Sequence, residues 1–138
     1  MALSIFDIFT DAGLTTPLAA NLLFSHNNDG STGNIDKIIY IGSQTDPATL
    51  QTEINPGVDQ IALSITDSDA GVGTPKPADL KLALTLVGLD TAVAGDPLNL
   101  GVLISGGVAN ALPVYIRGTQ ADGAGTDLNI VTNSLVEA

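Results

Sequence analysis

The chain has 138 residues, of which 44% are hydrophobic and only 4% aromatic, which is enough for one domain with a largely aliphatic core. Fifteen acidic residues against four basic ones give a formal net charge of −11, which excludes nucleic acid and anionic membranes as expected partners because both repel an acidic protein. The chain has no cysteine, so disulfides, thiolate metal sites and cysteine nucleophiles are excluded too.

The first residues predict a short helix. The spacing of Ser4 and Asp7 resembles a capping box at the start of a helix, and Gly13 is expected to end that helix. A helix of about two turns is marginal by itself, so its apolar face must pack against something. The N-terminal segment has no Lys or Arg, so it does not resemble a secretory signal. No apolar run of the sequence approaches the ~20 residues of a membrane span, and we therefore expect a cytosolic product. The apolar positions at helical spacing are Ile5, Ile8, Phe9 and Ala12.

The helix is predicted to belong to an apolar arm. Residues 14–24 stay apolar without a clear period, and residues 25–34 form a polar, Gly-rich linker. We therefore divide the chain into an N-terminal arm and linker, 1–34, and a β-sandwich domain, 35–138. The alternative is that the arm packs on its own domain. Since the arm holds all three phenylalanines, we predict that its apolar residues contact a partner: Leu3, Ile5, Phe6, Ile8, Phe9, Leu14, Leu18, Leu22, Leu23 and Phe24.

From residue 36 onward the sequence predicts strands. Apolar and polar residues alternate through 60–66 and again through 80–86, a period of two that is typical of half-buried strands. Turn-forming residues separate the segments. The prediction is an antiparallel, immunoglobulin-like β-sandwich of about six to eight strands, although the Cys pair and core Trp of antibody domains are missing. The remaining predicted strands lie in 37–41, 98–104, 112–117 and 127–133, with a weaker one at 50–54.

No residue pattern predicts catalysis or a cofactor. Asp67 and Asp69 lie in a Gly-rich segment similar to a calcium loop, but the later acidic ligand is missing, so a hairpin loop with solvated carboxylates is preferred. His26 is the sole histidine and lies in the polar linker without a nucleophile context. Arg117 is expected to form an ion pair with a neighbour in the sheet, such as an Asp. We therefore predict a protein that is not an enzyme and holds no metal.

Three stretches resemble virion proteins of tailed bacteriophages, above all the small capsid decoration (cement) proteins: residues 39–51, 55–67 and 98–135. The resemblance implies an immunoglobulin-like domain on the capsid exterior, made in the host cytoplasm. It also implies that the major capsid protein is the partner, that the arm bridges neighbouring capsid subunits, and that the protein forms a homo-oligomer of two or three copies.

A second reading has a different function. A β-sandwich with long loops is also typical of phage tail, collar or adhesin modules that recognise host glycans. In that case the loops, and not the arm, would carry the binding site. Glycan binding that survives loss of the arm would favour this second reading, whereas loss of attachment to the particle after deletion of residues 1–24 would favour the first.

Overall fold

The structure is a computed structural model that describes residues 5–18, 22–26, 35–67, 80–93, 95–118 and 123–138. These residues form strands joined by turns, with 3₁₀ turns at Val87–Asp90 and Val108–Asn110. Within these ranges, no helix has the length and apolar character needed to cross a membrane. The strands are β1 (Asp7–Phe9), β2 (Leu22–His26), β3 (Ile35–Gly42), β4 (Thr49–Thr52), β5 (Ala62–Asp67), β6 (Leu80–Ala83), β7 (Leu98–Asn99), β8 (Ile104–Ser105), β9 (Leu112–Gly118), β10 (Gly123–Thr132) and β11 (Leu135–Glu137).

The strands form three sheets, which we call A, B and C. Sheet A has the order β1-β3-β9-β6, sheet B the order β2-β10-β5-β7, and sheet C the order β11-β4-β8. All their strand pairs are antiparallel. The predicted all-β, antiparallel class is therefore confirmed, and β3, β5, β9 and β10 overlap the strands predicted at 37–41, 60–66, 112–117 and 127–133.

One hydrophobic cluster receives side chains from all three sheets. In β3, Ile39 and Ile41 are buried while Tyr40 between them is only half-buried, as a period of two requires. The same alternation in β9 buries Val114 and Ile116. Branched aliphatic side chains suit such a pleated interior. The cluster comprises Phe6, Ile8, Ile39, Ile41, Ala48, Leu50, Ile61, Leu63, Leu80, Leu82, Leu100, Ile104, Val114 and Ile116.

The face of sheet A that points away from this cluster carries both tyrosines. Tyr40 pairs with Phe9 on one side and Pro113 on the other. In the next row, Tyr115 lies between Ile38 and Ala83. Aromatic side chains next to each other across strands stabilise a sheet through contact, so this face is packed in its own right.

The predicted N-terminal helix is wrong. Residues Asp7–Phe9 form β1 and pair with β3, and the exposed fraction is 0% for Phe6 and 4% for Ile8. The spacing of the apolar residues fits both the period of a helix and the period of a strand. Pairing with β3 decides for the strand, because a helix this short has little stability by itself.

The turn after β1 is closed by Asp11, which was expected inside the helix. Its carboxylate accepts hydrogen bonds from the Thr15 hydroxyl (2.6 Å) and from the backbone N–H of Thr16 (2.8 Å). These bonds lower the pKa of Asp11 from its ordinary value of 3.8. The turn places Leu14, with φ of 55°, in a buried position against Gly42.

Residues before position 34 share contacts with the rest of the chain. The backbone N–H groups of Ile5 and Phe6 both donate to Glu137 Oε1 at 2.8 Å, and β2 pairs with β10. In the described residues, contacts therefore cross the predicted boundary at residue 34.

Two predicted strands end earlier than expected. The segment from Leu80 was predicted to continue to Leu86, but β6 stops at Ala83. The segment 98–104 is divided between β7 in sheet B and β8 in sheet C, because the chain turns at Gly101, whose φ is 98°.

Candidate protein-binding surfaces

The predicted partner-contact residues whose side chains the structure describes are all buried or half-buried. Phe6, Ile8 and Leu14 are buried in the interior, and Ile5 and Leu18 are partly buried against the core. A fully buried side chain cannot contact a partner, so in this conformation Phe6 is a core residue. Phe9 is half-buried on the outer face of sheet A. For Leu22, Leu23 and Phe24 the structure describes the backbone in β2, and Leu3 lies outside the described residues.

The predicted loop and linker residues are only partly covered by the structure. Asp67 ends β5, whereas Asp69 lies outside the described residues. His26 ends β2, with its backbone paired to Gly123. In the part of the chain that the structure describes, no three or more His, Cys, Asp or Glu side chains come together as a metal-binding group.

The first candidate surface is formed by residues 84–93, which we call the lobe. Val87 is 77% exposed and Val93 63%, and Leu84 and Leu86 are exposed as well. Four aliphatic side chains are thus exposed within ten residues of the chain, which makes this segment a candidate for contact with another protein.

The lobe is fixed to sheet A. Leu89 has no exposed surface, and the 3₁₀ turn that carries it contacts β6 and β9. Gly88 makes this packing possible, because a Cβ there would lie 3.2 Å from the Ala83 Cβ and 2.9 Å from the Thr85 hydroxyl oxygen. The Gly95 N–H also donates to the Leu80 carbonyl at 2.8 Å. The exposed side chains therefore extend from a supported turn.

Arg117 links the lobe to the sheet through two carboxylates. Its guanidinium donates from Nε and Nη2 to both carboxylate oxygens of Asp36 (2.8 and 3.1 Å) and from Nη1 to Asp90 in the lobe (2.8 Å). Asp36 lies directly opposite Arg117 in the β3–β9 pair, so the predicted ion pair is confirmed. The Arg117 hydrogen bond lowers the pKa of Asp36, and the two carboxylates raise the pKa of Arg117.

Replacing Arg117 with glutamine should remove a pH-dependent part of the stability. Because the pKa of Asp36 is lower in the folded protein than its ordinary 3.8, this contribution is complete above that value and is lost as the pH falls through the folded pKa. The melting temperature of Arg117→Gln should therefore fall below that of the wild type at pH 6, and the difference should shrink below pH 3.8. Differential scanning calorimetry at several pH values measures both.

The matched control for that experiment is Lys81→Gln, which removes a positive charge directly beside Arg117 in the β6–β9 pair. Lys81→Gln should show the same pH dependence of the melting temperature as the wild type. If the melting temperatures of Arg117→Gln and the wild type differed by the same amount at every pH, the prediction would be contradicted. Hydrogen exchange in the lobe should also rise in Arg117→Gln, because Asp90 loses its partner.

The second candidate surface is the turn at residues 53–60, which we call the 53–60 turn. Ile54 is 70% exposed and Val58 73%. The buried Thr52 hydroxyl donates to the Ile54 carbonyl at 2.8 Å, and the Val58 N–H donates to the carbonyl of Asn55 at 3.0 Å. These bonds hold the two apolar side chains at defined positions.

An open cavity of about 380 Å³ adjoins the 53–60 turn and is lined by Thr52, Ile54, Asp59, Asn133 and Ser134. The Asn133 side chain joins this cavity to β5: its Oδ1 accepts from the Ala62 N–H (3.1 Å), and its Nδ2 donates to the Gln60 carbonyl (3.0 Å). The combination of a concave site and a projecting isoleucine suits a protruding side chain of another protein.

Sequence reasoning missed both surfaces. Leu84 and Leu86 continue the alternation of β6 and so were predicted to be strand residues, although Gly88 two residues later is a signal that the strand ends. Ile54 and Val58 flank the turn-forming residues Asn55-Pro56-Gly57, and Ile54 was predicted to end a weak strand, so neither side chain was considered as part of a surface. In comparisons with known proteins, the chain matches no family model, no curated protein and no solved structure.

Proposed function

We propose that this protein is a virion structural protein that binds the outer surface of a bacteriophage capsid and stabilises the shell by linking neighbouring major capsid protein subunits. The resemblance of residues 39–51, 55–67 and 98–135 to capsid decoration proteins motivates the proposal. Antiparallel sheets around one core are compatible with the immunoglobulin-like sandwich of this proposal. The net charge of −11 further favours a protein partner over nucleic acid.

The observation that carries the proposal is the 53–60 turn with its two exposed apolar side chains. Ile54 lines the cavity and Val58 is exposed on the same turn, which is held by hydrogen bonds, so little conformational entropy is lost when a partner covers them. Glu53 and Asp59 flank them, so the turn fits a partner surface with a neutral or basic rim. The proposal thus moves the capsid contact from the N-terminal arm, whose described apolar residues other than Phe9 pack against the core or are buried, to this turn.

Repetition over the shell makes a modest contact effective. Burial of apolar surface contributes roughly 25 cal/mol per Å², so a few hundred Å² at each site yields several kcal/mol before ordering costs. Each copy on the lattice contributes this amount. A weak individual contact can therefore stabilise a whole particle.

The test is co-sedimentation of the purified protein with capsids that lack it, taken from the phage that encodes this chain. The double variant Ile54→Gln and Val58→Asn should bind at least about tenfold more weakly, because it removes the apolar contact without adding charge, and each tenfold change corresponds to ~1.4 kcal/mol. Absence of binding by the wild type would refute the proposed function.

The matched control is Leu103→Gln, which makes the same kind of change at a side chain that is 43% exposed outside both candidate surfaces. It should bind capsids as the wild type does. If the double variant also bound like the wild type, the 53–60 turn would not be the contact.

A further inference from the structure

The cavity beside the 53–60 turn is lined by both apolar and acidic side chains. Ile54 supplies aliphatic surface, and Asp59 supplies the only carboxylate among the described residues that line it. None of these lining residues is basic, so no side chain in the lining neutralises Asp59. Within the described part of the chain, the side-chain partner of this carboxylate is Asn55, whose Nδ2 lies 3.4 Å from Asp59 Oδ2. The carboxylate therefore keeps the capacity to accept further hydrogen bonds.

Hydrogen bonds fix the shape of the cavity. The Asn133 side chain is held by its bonds to the backbone of Ala62 and Gln60. The next residue, Ser134, accepts a hydrogen bond at its carbonyl from the Glu53 N–H, at 2.9 Å, which ties this part of the lining to the start of the 53–60 turn. Because these groups already have fixed positions, little free energy is lost in ordering them when a side chain enters the cavity.

We propose that the cavity binds the side chain of a lysine or arginine that projects from the partner protein. The aliphatic stem of such a side chain packs against Ile54, while its charged end donates hydrogen bonds to the Asp59 carboxylate. Ser134 lines the cavity as well, and a serine hydroxyl can accept a further hydrogen bond. The net charge of −11 and the neighbouring Glu53 strengthen the attraction for a cation.

Other occupants fit the cavity less well. An acidic side chain is repelled by Asp59. An apolar side chain would remove the carboxylate from water without giving it a partner, which is costly. A calcium ion needs about six to eight oxygen ligands, whereas the described lining contains a single carboxylate. A basic side chain is the occupant that satisfies both the carboxylate and the aliphatic surface.

The identity of the partner rests on the proposed function, whereas the chemistry of the occupant does not. If the partner is a capsid, the contact residue is a basic side chain on the outer surface of the major capsid protein. Binding then weakens as the salt concentration rises, because salt screens an ion pair at an exposed site. The preference of the cavity for a cation can be measured on the protein alone.

The first experiment is an NMR titration of the full, isotope-labelled chain with N-acetyl-arginine amide, up to about 50 mM because a single side chain binds weakly. The control ligand is N-acetyl-citrulline amide, which has nearly the same shape but no charge. Chemical-shift changes should concentrate at Asp59, Asn133 and Ser134. The arginine compound should bind at least about threefold more tightly than the citrulline compound, and N-acetyl-lysine amide should behave like the arginine compound.

The matched variants for this titration are Asp59→Asn and Asp96→Asn. Asp59→Asn should weaken binding of the arginine compound about two- to fivefold, because it removes the charge but keeps the shape. Asp96→Asn removes the same charge from an exposed residue outside the cavity, so the affinity should stay within a factor of about 1.5. Equal effects of the two variants would overturn the proposal. So would equal affinity for arginine and citrulline, or the absence of localised shifts in the wild type.

The second experiment repeats the capsid co-sedimentation at about 50 mM and about 300 mM NaCl. Wild-type binding should weaken as salt rises, and Asp59→Asn should bind at least about threefold more weakly than Asp96→Asn at low salt. Equal binding of these two variants would overturn the proposal even where the wild type binds capsids. A protein that discriminates arginine from citrulline through Asp59 but does not bind capsids would refute only the proposed function.

Discussion

Replacing Phe6 with alanine should lower the free energy of unfolding by about 3–5 kcal/mol, the range for truncating a buried phenylalanine. Its side chain is 0% exposed within the cluster shared by the three sheets, so alanine would leave a cavity there. Domains of this size are stable by only about 5–15 kcal/mol, so much of the native stability would be lost. Urea unfolding followed by circular dichroism measures the change.

Phe9→Ala is the matched control, because Phe9 is three residues away and only half-buried on the opposite face of sheet A. We expect a loss of about 1 kcal/mol there. If Phe6 belonged to a partner-binding arm, as the sequence predicted, Phe6→Ala would leave the unfolding of the free protein unchanged. That outcome would contradict the position of Phe6 in this structure.

Gly106→Ala should be destabilising by about 3 kcal/mol, at the upper end of the range for overpacking. A Cβ at this position would clash with the Thr45 carbonyl oxygen and would lie 2.9 Å from the Ala48 Cβ. The neighbouring atoms cannot easily move, because the Gly106 N–H donates to the Ala48 carbonyl at 2.7 Å and the Gly106 carbonyl accepts from Asn110 Nδ2 at 2.8 Å. Thermal and urea unfolding measure the loss.

Gly101→Ala is the control that distinguishes the steric effect expected at Gly106 from the effect of backbone strain. Gly101 has φ of 98°, but a Cβ there would have no heavy atom within 4 Å, so its substitution should cost about 1–2 kcal/mol through the dihedral angle alone. A larger loss for Gly101→Ala than for Gly106→Ala would show that the segment after β8 does not pack against Thr45 as described.

The sequence predicted the fold class because alternation is a local property. In β3 and β9 the side chains that alternate along the chain are also those that reach the common core, so period and burial agree. The ion pair of Arg117 was predictable for a similar reason, since few cations were available and adjacent strands bring opposite residues together.

The N-terminal segment could not be predicted in the same way. Ile5, Ile8 and Phe9 fit a helix, whereas Phe6 and Ile8 fit a strand, and nothing local decides between the two. The decision comes from β3, which offers an edge for β1 to pair with and whose paired residues lie more than thirty positions further along the chain. The two candidate surfaces were missed because exposure depends on where a strand ends, and strand ends are set by tertiary packing.

The pairing of Tyr115 with Ala83 places a natural optical probe beneath the lobe. With no tryptophan and only two tyrosines in the chain, ultraviolet emission comes from Tyr40 and Tyr115, both on the same face of sheet A. The fluorescence of the unlabelled protein therefore reports on the surroundings of that face. Detachment of the lobe can be followed spectroscopically without introducing a dye.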